Sequence, residues 1–213
     1  MRSESGELSY TELSSGTNIT VASLALTHRQ MKHRYYLNAF LSLIVVSCMT
    51  HAQSIDFTDR QIVDQMWVVN DGVMGGVSQS QIHSEADGVI IEGIVSLENN
   101  GGFASARSAA AFDRGTTALE IMVKGDGKQY KFLLRTDSSP RSPMYQATFV
   151  ATDVWTHIRF KPSDFKASFR GRAVTASEVI FSDVKEIGVL IADQQAGSFR
   201  MLIKYVQASV SIP

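Results

Sequence analysis

The sequence has few of the residues that build disulfide frameworks and metal centres. Its 213 residues include one cysteine, Cys48, so no disulfide can form within the chain. Only His83 and His157, out of five histidines, follow residue 52. No cluster of histidine, cysteine and carboxylate residues has the spacing of a zinc site. We therefore predict no metal centre and no cofactor.

The chain also lacks an excess of charge of either sign. It has 20 Lys and Arg residues and 21 Asp and Glu residues, which gives a formal net charge of -1 at pH 7. Proteins that bind nucleic acid usually carry a basic patch or stripe. We therefore expect no nucleic-acid partner.

Helical periodicity is scarce after residue 52, and alternation of apolar and polar residues takes its place. Residues 88–98 read GVIIEGIVSLE, and residues 118–125 and 128–136 read ALEIMVKG and KQYKFLLRT. Such segments recur about every 8–12 residues, which predicts an all-β sandwich or barrel rather than β-α-β units. We predict that residues 53–213 form a single domain of this class.

Glycine and polar residues mark the predicted connections between strands. Gly125-Asp126-Gly127 predicts a hairpin, because glycine supplies the positive φ that short hairpin loops need. Residues 99–102, NNGG, predict a tight turn, and residues 169–179, FRGRAVTASEV, predict a long loop.

The N-terminal part has the pattern of an export signal. From Met31 it reads MKHRYYLNAFLSLIVVSCMTHAQS, with basic residues first, then a short apolar run and a small-residue site ending at Ala52. Residues 31–52 are therefore predicted to be a signal peptide. Residues 1–30 are interpreted as a start-site artefact or a disordered extension. The apolar run is too short to span a membrane comfortably.

A lipid anchor is an alternative to cleavage after Ala52. The residues VVSC, which end at Cys48, resemble a bacterial lipobox in which the cysteine is acylated. Both alternatives predict an exported protein. It is either free in the periplasm or a lipoprotein anchored to the membrane and facing the periplasm, and a lipid on Cys48 is the only membrane contact we expect.

The stretch WVVNDGVMGGVSQSQI, at 67–82, is rich in glycine but does not fit a nucleotide site. It lacks the G-x-G-x-x-G spacing, and no Lys-Ser/Thr pair follows as a P-loop requires. We interpret Asn70-Asp71-Gly72 as a turn and Gly75-Gly76 as a place of close backbone packing before a strand that begins near Val77. Trp67 to Val69 are expected to pack into the sandwich.

Motifs of hydrolytic enzymes are missing as well. There is no G-x-S-x-G elbow, and the acidic residues of the predicted strands fit ordinary strand faces and turns. We predict that the protein is not an enzyme. Two alternatives stay open: paired carboxylates for glycoside hydrolysis, and a calcium site built from the loop residues Asp71, Asp126 and Asp193.

Two arginines lie in strands of mainly apolar or small residues, Arg107 in FASARS and Arg135 in KFLLRT. A charge in such a strand needs a partner, and we expect Asp71 or Asp126 to pair with one of them. An arginine fork can also bind a carboxylate or sugar hydroxyls. A loop-end cleft near Asp71, Arg107 and Arg135 is therefore a candidate carbohydrate site.

The glycine-rich blocks, taken together, resemble the complex I intermediate-associated protein 30 family. The first block is WVVNDGVMGGVS and the second is EGIVSLENNGGFASARS. The segments VKGDGKQYKFLLRT, FRGR and IGVLIADQQAGSFRMLI follow in the order that the family has. The resemblance extends from about Ile55 to Val210, which is almost the whole chain after the predicted signal.

This resemblance implies a galactose-binding-like jelly-roll β-sandwich that needs no cofactor. Mitochondrial members of the family are assembly chaperones for respiratory complex I and are not enzymes. The residues that match the family motifs are the ones expected to bind a ligand or partner: Asn70, Asp71, Met74, Gly75, Gly76, Ser78, Asn100, Gly101, Gly102, Phe103, Arg107, Asp126, Tyr130 and Arg135. The export signal differs from the matrix setting of those members, so the fold and a non-catalytic binding role are what the resemblance carries over.

Three functions follow as hypotheses. The first is a chaperone-like factor that binds a protein partner, such as an assembly intermediate of a membrane complex. The alternative is a carbohydrate-binding module of the same fold. The third is a small hydrolase that depends on Asp71 or Asp126.

Overall fold

The computed structural model describes residues 53–139 and 141–210. The predicted extension (1–30), the predicted signal peptide (31–52) and the lipidation candidate Cys48 lie outside the described residues. Within the described ranges, no helix is both long enough and apolar enough to cross a membrane.

The described chain is built almost entirely of strands. In chain order these are β1 (Ser54–Asp56), β2 (Trp67–Asn70), β3 (Gln79–Glu85), β4 (Gly88–Val95), β5 (Ala104–Ala109), β6 (Thr116–Gly125), β7 (Gln129–Arg135), β8 (Met144–Val150), β9 (Thr156–Phe160), β10 (Lys166–Phe169), β11 (Arg172–Ala173), β12 (Glu186–Ile191) and β13 (Gly197–Val210). The helical pieces are short: α1 (Arg60–Val63) and 3-10 turns at Asp71–Met74, Glu98–Asn100, Pro162–Asp164 and Phe181–Asp183.

The strands form two antiparallel sheets. The six-stranded sheet has the order β3-β4-β13-β6-β9, with β1 also paired to β13, and the seven-stranded sheet has the order β11-β10-β8-β7-β12-β5-β2. Side chains alternate along each strand, so each sheet turns one apolar face toward the other. The predicted all-β sandwich is therefore confirmed.

The core between the sheets is apolar and rich in phenylalanine. Phe132, Phe160 and Phe165 pack with ring centroids 5.4 to 5.9 Å apart. Leu119 and Ile121 of β6 face this cluster and are almost completely buried. Burying a side chain of this size contributes roughly 1.5–3 kcal/mol to folding.

The connections differ from the predictions in two places. The strand after Gly75-Gly76 begins at Gln79 rather than near Val77, because the backbone N–H of Ser78 donates to the Asp71 side chain instead of joining the sheet. Residues 169–179 are not entirely a loop, since β10 and β11 form a short hairpin there.

The expectation that Trp67 and Val68 pack into the sandwich is wrong. Their side chains are 39% and 40% exposed. The reason is their position: β2 is the edge strand of the seven-stranded sheet and has only β5 as a neighbour in that sheet.

Candidate functional site

The two glycine-rich blocks meet at the carboxylate of Asp71. This residue opens the 3-10 turn after β2, and its side chain is fully buried. Its oxygens accept hydrogen bonds from the backbone N–H and the hydroxyl of Ser78. They also accept from the backbone N–H groups of Gly102 at 2.7 Å and Phe103 at 3.3 Å. One side chain thus ties the loop after β2 to the loop before β5.

Two glycines are required by this arrangement. A Cβ at Gly76 would overlap the Asp71 side chain, and a Cβ at Gly101 would lie 2.5 Å from one of its carboxylate oxygens. Gly75 has a φ of 91°, a left-handed conformation that glycine adopts without strain. The glycines of both blocks therefore allow the two loops to close around the carboxylate.

The hydrogen bonds keep Asp71 ionised. Burial raises the pKa of its carboxyl, but the hydrogen bonds from Ser78, Gly102 and Phe103 lower that pKa by more, so it lies below its ordinary value. The side chain is shielded from water but is not part of the apolar core cluster. Asp71 is therefore a charged tie between two loops, and its carboxylate accepts four hydrogen bonds from the protein.

The closed loops expose apolar side chains. Val73 and Met74 in the 3-10 turn are 74% and 60% exposed, and Val77 and Leu97 are 45% and 44% exposed. Leu97 belongs to the second loop, where its Cδ2 lies against Gly102. We call these four residues the apolar tip.

A second carboxylate, Asp126, has a similar bracing role. It accepts hydrogen bonds from the Tyr130 hydroxyl at 2.9 Å and from the backbone N–H groups of Lys128 and Arg200, at 3.1 and 3.0 Å. Burial and the charge of Asp126 raise the pKa of the Tyr130 hydroxyl, which stays neutral and donates. The predicted hairpin between β6 and β7 is present, and this carboxylate joins it to β13.

Arg107 and Arg135 lie on the outer face of the seven-stranded sheet, the face turned away from the core. Arg107 donates to Glu186 at 3.0 Å, and Arg135 donates to the backbone oxygen of Ser139 at 2.8 Å. The predicted pairing with Asp71 or Asp126 is wrong, because both carboxylates are held by loop donors elsewhere. Burial lowers the pKa of Arg107, Glu186 opposes that change, and the nearby charge of Arg135 lowers it further.

The sequence-predicted residues therefore occupy three places and not one cleft. The motif residues near Asp71 form the closed loops, and Tyr130 and Asp126 brace the hairpin. Arg107 and Arg135 lie on the outer sheet face. Asn70 accepts from the Ser80 hydroxyl at 2.7 Å and so helps to hold the loop end of β2.

An open groove was not foreseen from the sequence. It crosses β3, β4 and β13 on the outer face of the six-stranded sheet and has a volume of about 600 Å³. Its central Glu92 accepts from Gln81 at 3.2 Å and from Arg200 at 3.2 Å. Glu92 looked like an ordinary strand residue, and only the pairing of β4 with β13 brings it to Arg200.

The described residues contain no group of three or more histidine, cysteine, aspartate or glutamate side chains that could hold a metal ion. Among the calcium candidates, Asp71 and Asp126 accept hydrogen bonds from the protein, and Asp193 forms an ion pair with Lys131 at 2.7 Å.

The protein has the fold of a class of β-sandwich modules. The structure is similar to the family 11 carbohydrate-binding module of a cellulosomal cellulase of Clostridium thermocellum, with 12% identity and a TM-score of 0.53 over 76% of this chain and 99% of that one. The same kind of module from this organism, in complex with a β-1,3-1,4-mixed-linked tetrasaccharide, gives 12% identity and a TM-score of 0.54 over 76% and 98%. This likeness supports the predicted galactose-binding-like jelly roll.

The sequence then identifies the family. Residues 55–203 match the pattern of complex I intermediate-associated protein 30. The match spans well over half of the chain, and the protein belongs to this family. No curated protein matches the chain.

Proposed function

We propose that the protein is a non-catalytic factor that binds a protein partner and assists the assembly of a protein complex. The observation that carries this proposal is the apolar tip, four exposed apolar side chains held on two loops that Asp71 ties together. Membership of the complex I intermediate-associated protein 30 family supports an assembly partner.

The hydrogen bonds that hold the two loops together favour binding to another protein. Exposed apolar groups gain free energy when a partner removes them from water. Loops that are already ordered lose little conformational entropy on binding. The tip therefore combines apolar area with a backbone that needs no further ordering.

A non-catalytic role is supported by the hydrogen bonds that the Asp71 and Asp126 carboxylates accept within the protein. The third hypothesis, a hydrolase, requires Asp71 or Asp126 to meet a substrate or water. Asp71 is fully buried, and both side chains accept several hydrogen bonds from the protein itself. A general base needs a free lone pair within reach of the proton that it removes.

Affinity capture from solubilised membranes of the source cells tests this proposal. We expect Val73→Asp and Met74→Asp to remove a partner that the wild type retains. Val154→Asp is the matched control, because Val154 is 62% exposed on a loop outside the tip. Equal recovery of the partner by all variants would contradict the proposal.

Export is part of the same proposal, because the predicted signal peptide determines in which compartment the partner must be. Mass spectrometry of the mature protein distinguishes the two routes. An acylated N-terminal Cys48 indicates a lipoprotein, and a free Gln53 indicates cleavage after Ala52. An intact N-terminus at residue 1 or 31 would contradict export by either route.

A second candidate function is carbohydrate binding, which the outer face of the seven-stranded sheet favours. Neighbouring strands place Trp67 opposite Arg107, and Leu133 opposite Gln146, on this face. An exposed ring, a guanidinium and an amide are groups that bind sugar rings and hydroxyls. Calorimetric titration with oligosaccharides tests this function, and the absence of binding to any of them would exclude it.

A further inference from the structure

The groove on the outer face of the six-stranded sheet begins where the apolar tip ends. Val77 precedes Gln79, the first residue of β3, by two positions, and Leu97 follows the end of β4 by two. The Ser78 hydroxyl accepts from the backbone N–H of Ser96 at 3.0 Å and joins the two connections. The tip and the groove therefore form one continuous surface.

The tip by itself is too small for a specific interface. Its four partly exposed aliphatic side chains offer on the order of 400 Å², whereas a stable complex buries about 800 Å² of each partner. A partner bound at the tip must therefore cover neighbouring surface as well. The groove is the concave surface next to the tip, with a volume of about 600 Å³.

The first row of the groove extends the apolar surface of the tip. Ile94 on β4 is paired with Gln79 on β3 and with Ser198 on β13, and its side chain is 58% exposed. All three residues line the groove. A partner segment that leaves the tip therefore meets an apolar side chain flanked by two polar ones.

The second row of the groove is polar and is held in place. Glu92 accepts a hydrogen bond from Gln81 on β3 and another from Arg200 on β13, each at 3.2 Å. The side chains of Glu92 and Arg200 are 31% and 55% exposed, so a ligand in the groove can reach them. Polar groups that are already ordered lose little conformational entropy on binding.

The polar groups of both rows suit an extended backbone. The amides of Gln79 and Gln81 each have donors and an acceptor, which match the C=O and N–H groups of a peptide. A helix uses its backbone groups internally, whereas a single extended segment offers them to its surroundings.

The charges of the groove balance one another. Arg200 offsets Glu92, to which it is bonded. Asp126 also lines the groove, and Lys128 follows it on the same hairpin and donates to the backbone oxygen of Ser198. A segment without charged side chains therefore fits the groove best, because each of these charges already has one of opposite sign nearby.

We propose that the partner binds through an extended, uncharged segment that runs from the apolar tip over Ile94 to the second row of the groove. Apolar side chains of the segment contact the tip and Ile94, and its backbone bonds the amides and the guanidinium of the groove. The inference rests on the proposed binding of a protein partner, and it adds the conformation and the polarity of the bound segment.

Photo-crosslinking in cells that produce the full chain tests the path of this segment. p-Benzoylphenylalanine replaces Leu97 in the tip, Gln81 in the groove or Val154 as the control, and mass spectrometry locates the crosslinked residue of the partner. We expect the first two probes to mark one segment of the same protein, and Val154 not to mark it. Gln81 is paired with Glu92, which is roughly 16 Å along the chain from Leu97, so the two marks should be about five residues apart in an extended segment and about eleven in a helix.

Each other crosslinking result overturns a stated part of the inference. Marks on two different proteins, or about eleven residues apart, overturn the extended segment. A mark from Leu97 without one from Gln81 overturns the use of the groove and leaves the protein partner intact. No mark from either probe overturns both.

Titration of the full protein with a synthetic peptide of the marked segment tests the groove directly. Ser198→Trp, which fills the groove, and Met74→Asp should each weaken binding by about tenfold, measured by fluorescence anisotropy. Val154→Trp is the matched control and should bind as the wild type does. Thermal unfolding of each variant is measured first, and Gln81→Ala replaces Ser198→Trp if that variant does not fold.

Two results of the titration would contradict the inference. Wild-type affinity of the groove variant overturns the use of the groove. Displacement of the peptide by a β-1,3-1,4-mixed-linked tetrasaccharide overturns the choice of a polypeptide and assigns the groove to carbohydrate.

Discussion

At the scale of single residues, Asp71 decides the shape of the loop end. Its carboxylate binds donors from both glycine-rich blocks. Neighbouring Asn70 has a smaller part, since it accepts only from Ser80. The aspartate in the motif is therefore explained by loop closure, independently of any ligand.

We predict that Asp71→Asn destabilises the protein by about 2–4 kcal/mol, because an amide NH2 would face N–H donors and leave them unpaired. Urea unfolding measures the change. Asp193→Asn is the control, since Asp193 makes only an exposed ion pair with Lys131 and its loss should cost less than about 1 kcal/mol. Equal stability of the two variants would contradict the bracing role.

The charge of Asp71 also predicts a pH dependence. Because its pKa is lowered in the folded state, the unfolded chain binds the proton more readily. The stabilisation is then fully present above the ordinary aspartate pKa of about 4 and is lost as the pH falls through the lower folded value. We expect the stability difference between wild type and Asp71→Asn to shrink below about pH 4, measured by urea unfolding at successive pH values. A difference that is constant with pH would disprove this.

At the scale of secondary-structure elements, the most distinctive features are the two loops tied together by Asp71 and the two edge strands of the seven-stranded sheet. The loops that contain the 3-10 turns at Asp71–Met74 and Glu98–Asn100 are held together by the Asp71 carboxylate, which accepts from Gly102 and Phe103, and not by sheet pairing. This leaves Val73 and Met74 in solvent. These loops carry the apolar tip to which we propose that a partner binds.

Loop closure predicts a contrast between neighbouring glycines. Gly76→Ala should destabilise the protein by about 2 kcal/mol or more, because the new methyl group overlaps the Asp71 carboxyl. Gly72→Ala should change stability by less than about 0.5 kcal/mol, because nothing lies within 4 Å of its added Cβ. Thermal unfolding of both variants measures the contrast, and similar melting temperatures would show that the loops relax around the substitution.

At the scale of the whole molecule, the last strand holds the six-stranded sheet together. β13 pairs with β1, β4 and β6, so three strands from the first half of the described chain meet its last strand. Such non-local pairing makes folding depend on the complete chain.

We therefore expect a chain that ends at Ala196 not to fold. Without β13 the six-stranded sheet loses its central strand, and β4 and β6 are left with unpaired edges. Circular dichroism and amide proton dispersion measure the outcome, with a chain of residues 53–213 as the folded control. A cooperative unfolding transition in the shortened chain would contradict this view.

Much of the fold could be predicted from the sequence, because alternation along a strand is a local property. The segments at 88–98 and 128–136 became β4 and β7 with small changes at their ends. The exposure of Trp67 could not be predicted, since it depends on β2 being an edge strand. The hairpin of β10 and β11 was missed because its two-residue strand is too short for a periodic pattern.

The sequence by itself determined the all-β class, the family and the list of motif residues, because each depends on the order of neighbouring residues. Only the tertiary structure decided what those residues do. Gly102 lies 31 residues from Asp71, and Glu186 lies 79 residues from Arg107. Hydrogen-bond partners so far apart are chosen by which strands become neighbours, so the tie at Asp71 and the ion pair between Arg107 and Glu186 became visible only in the folded sandwich.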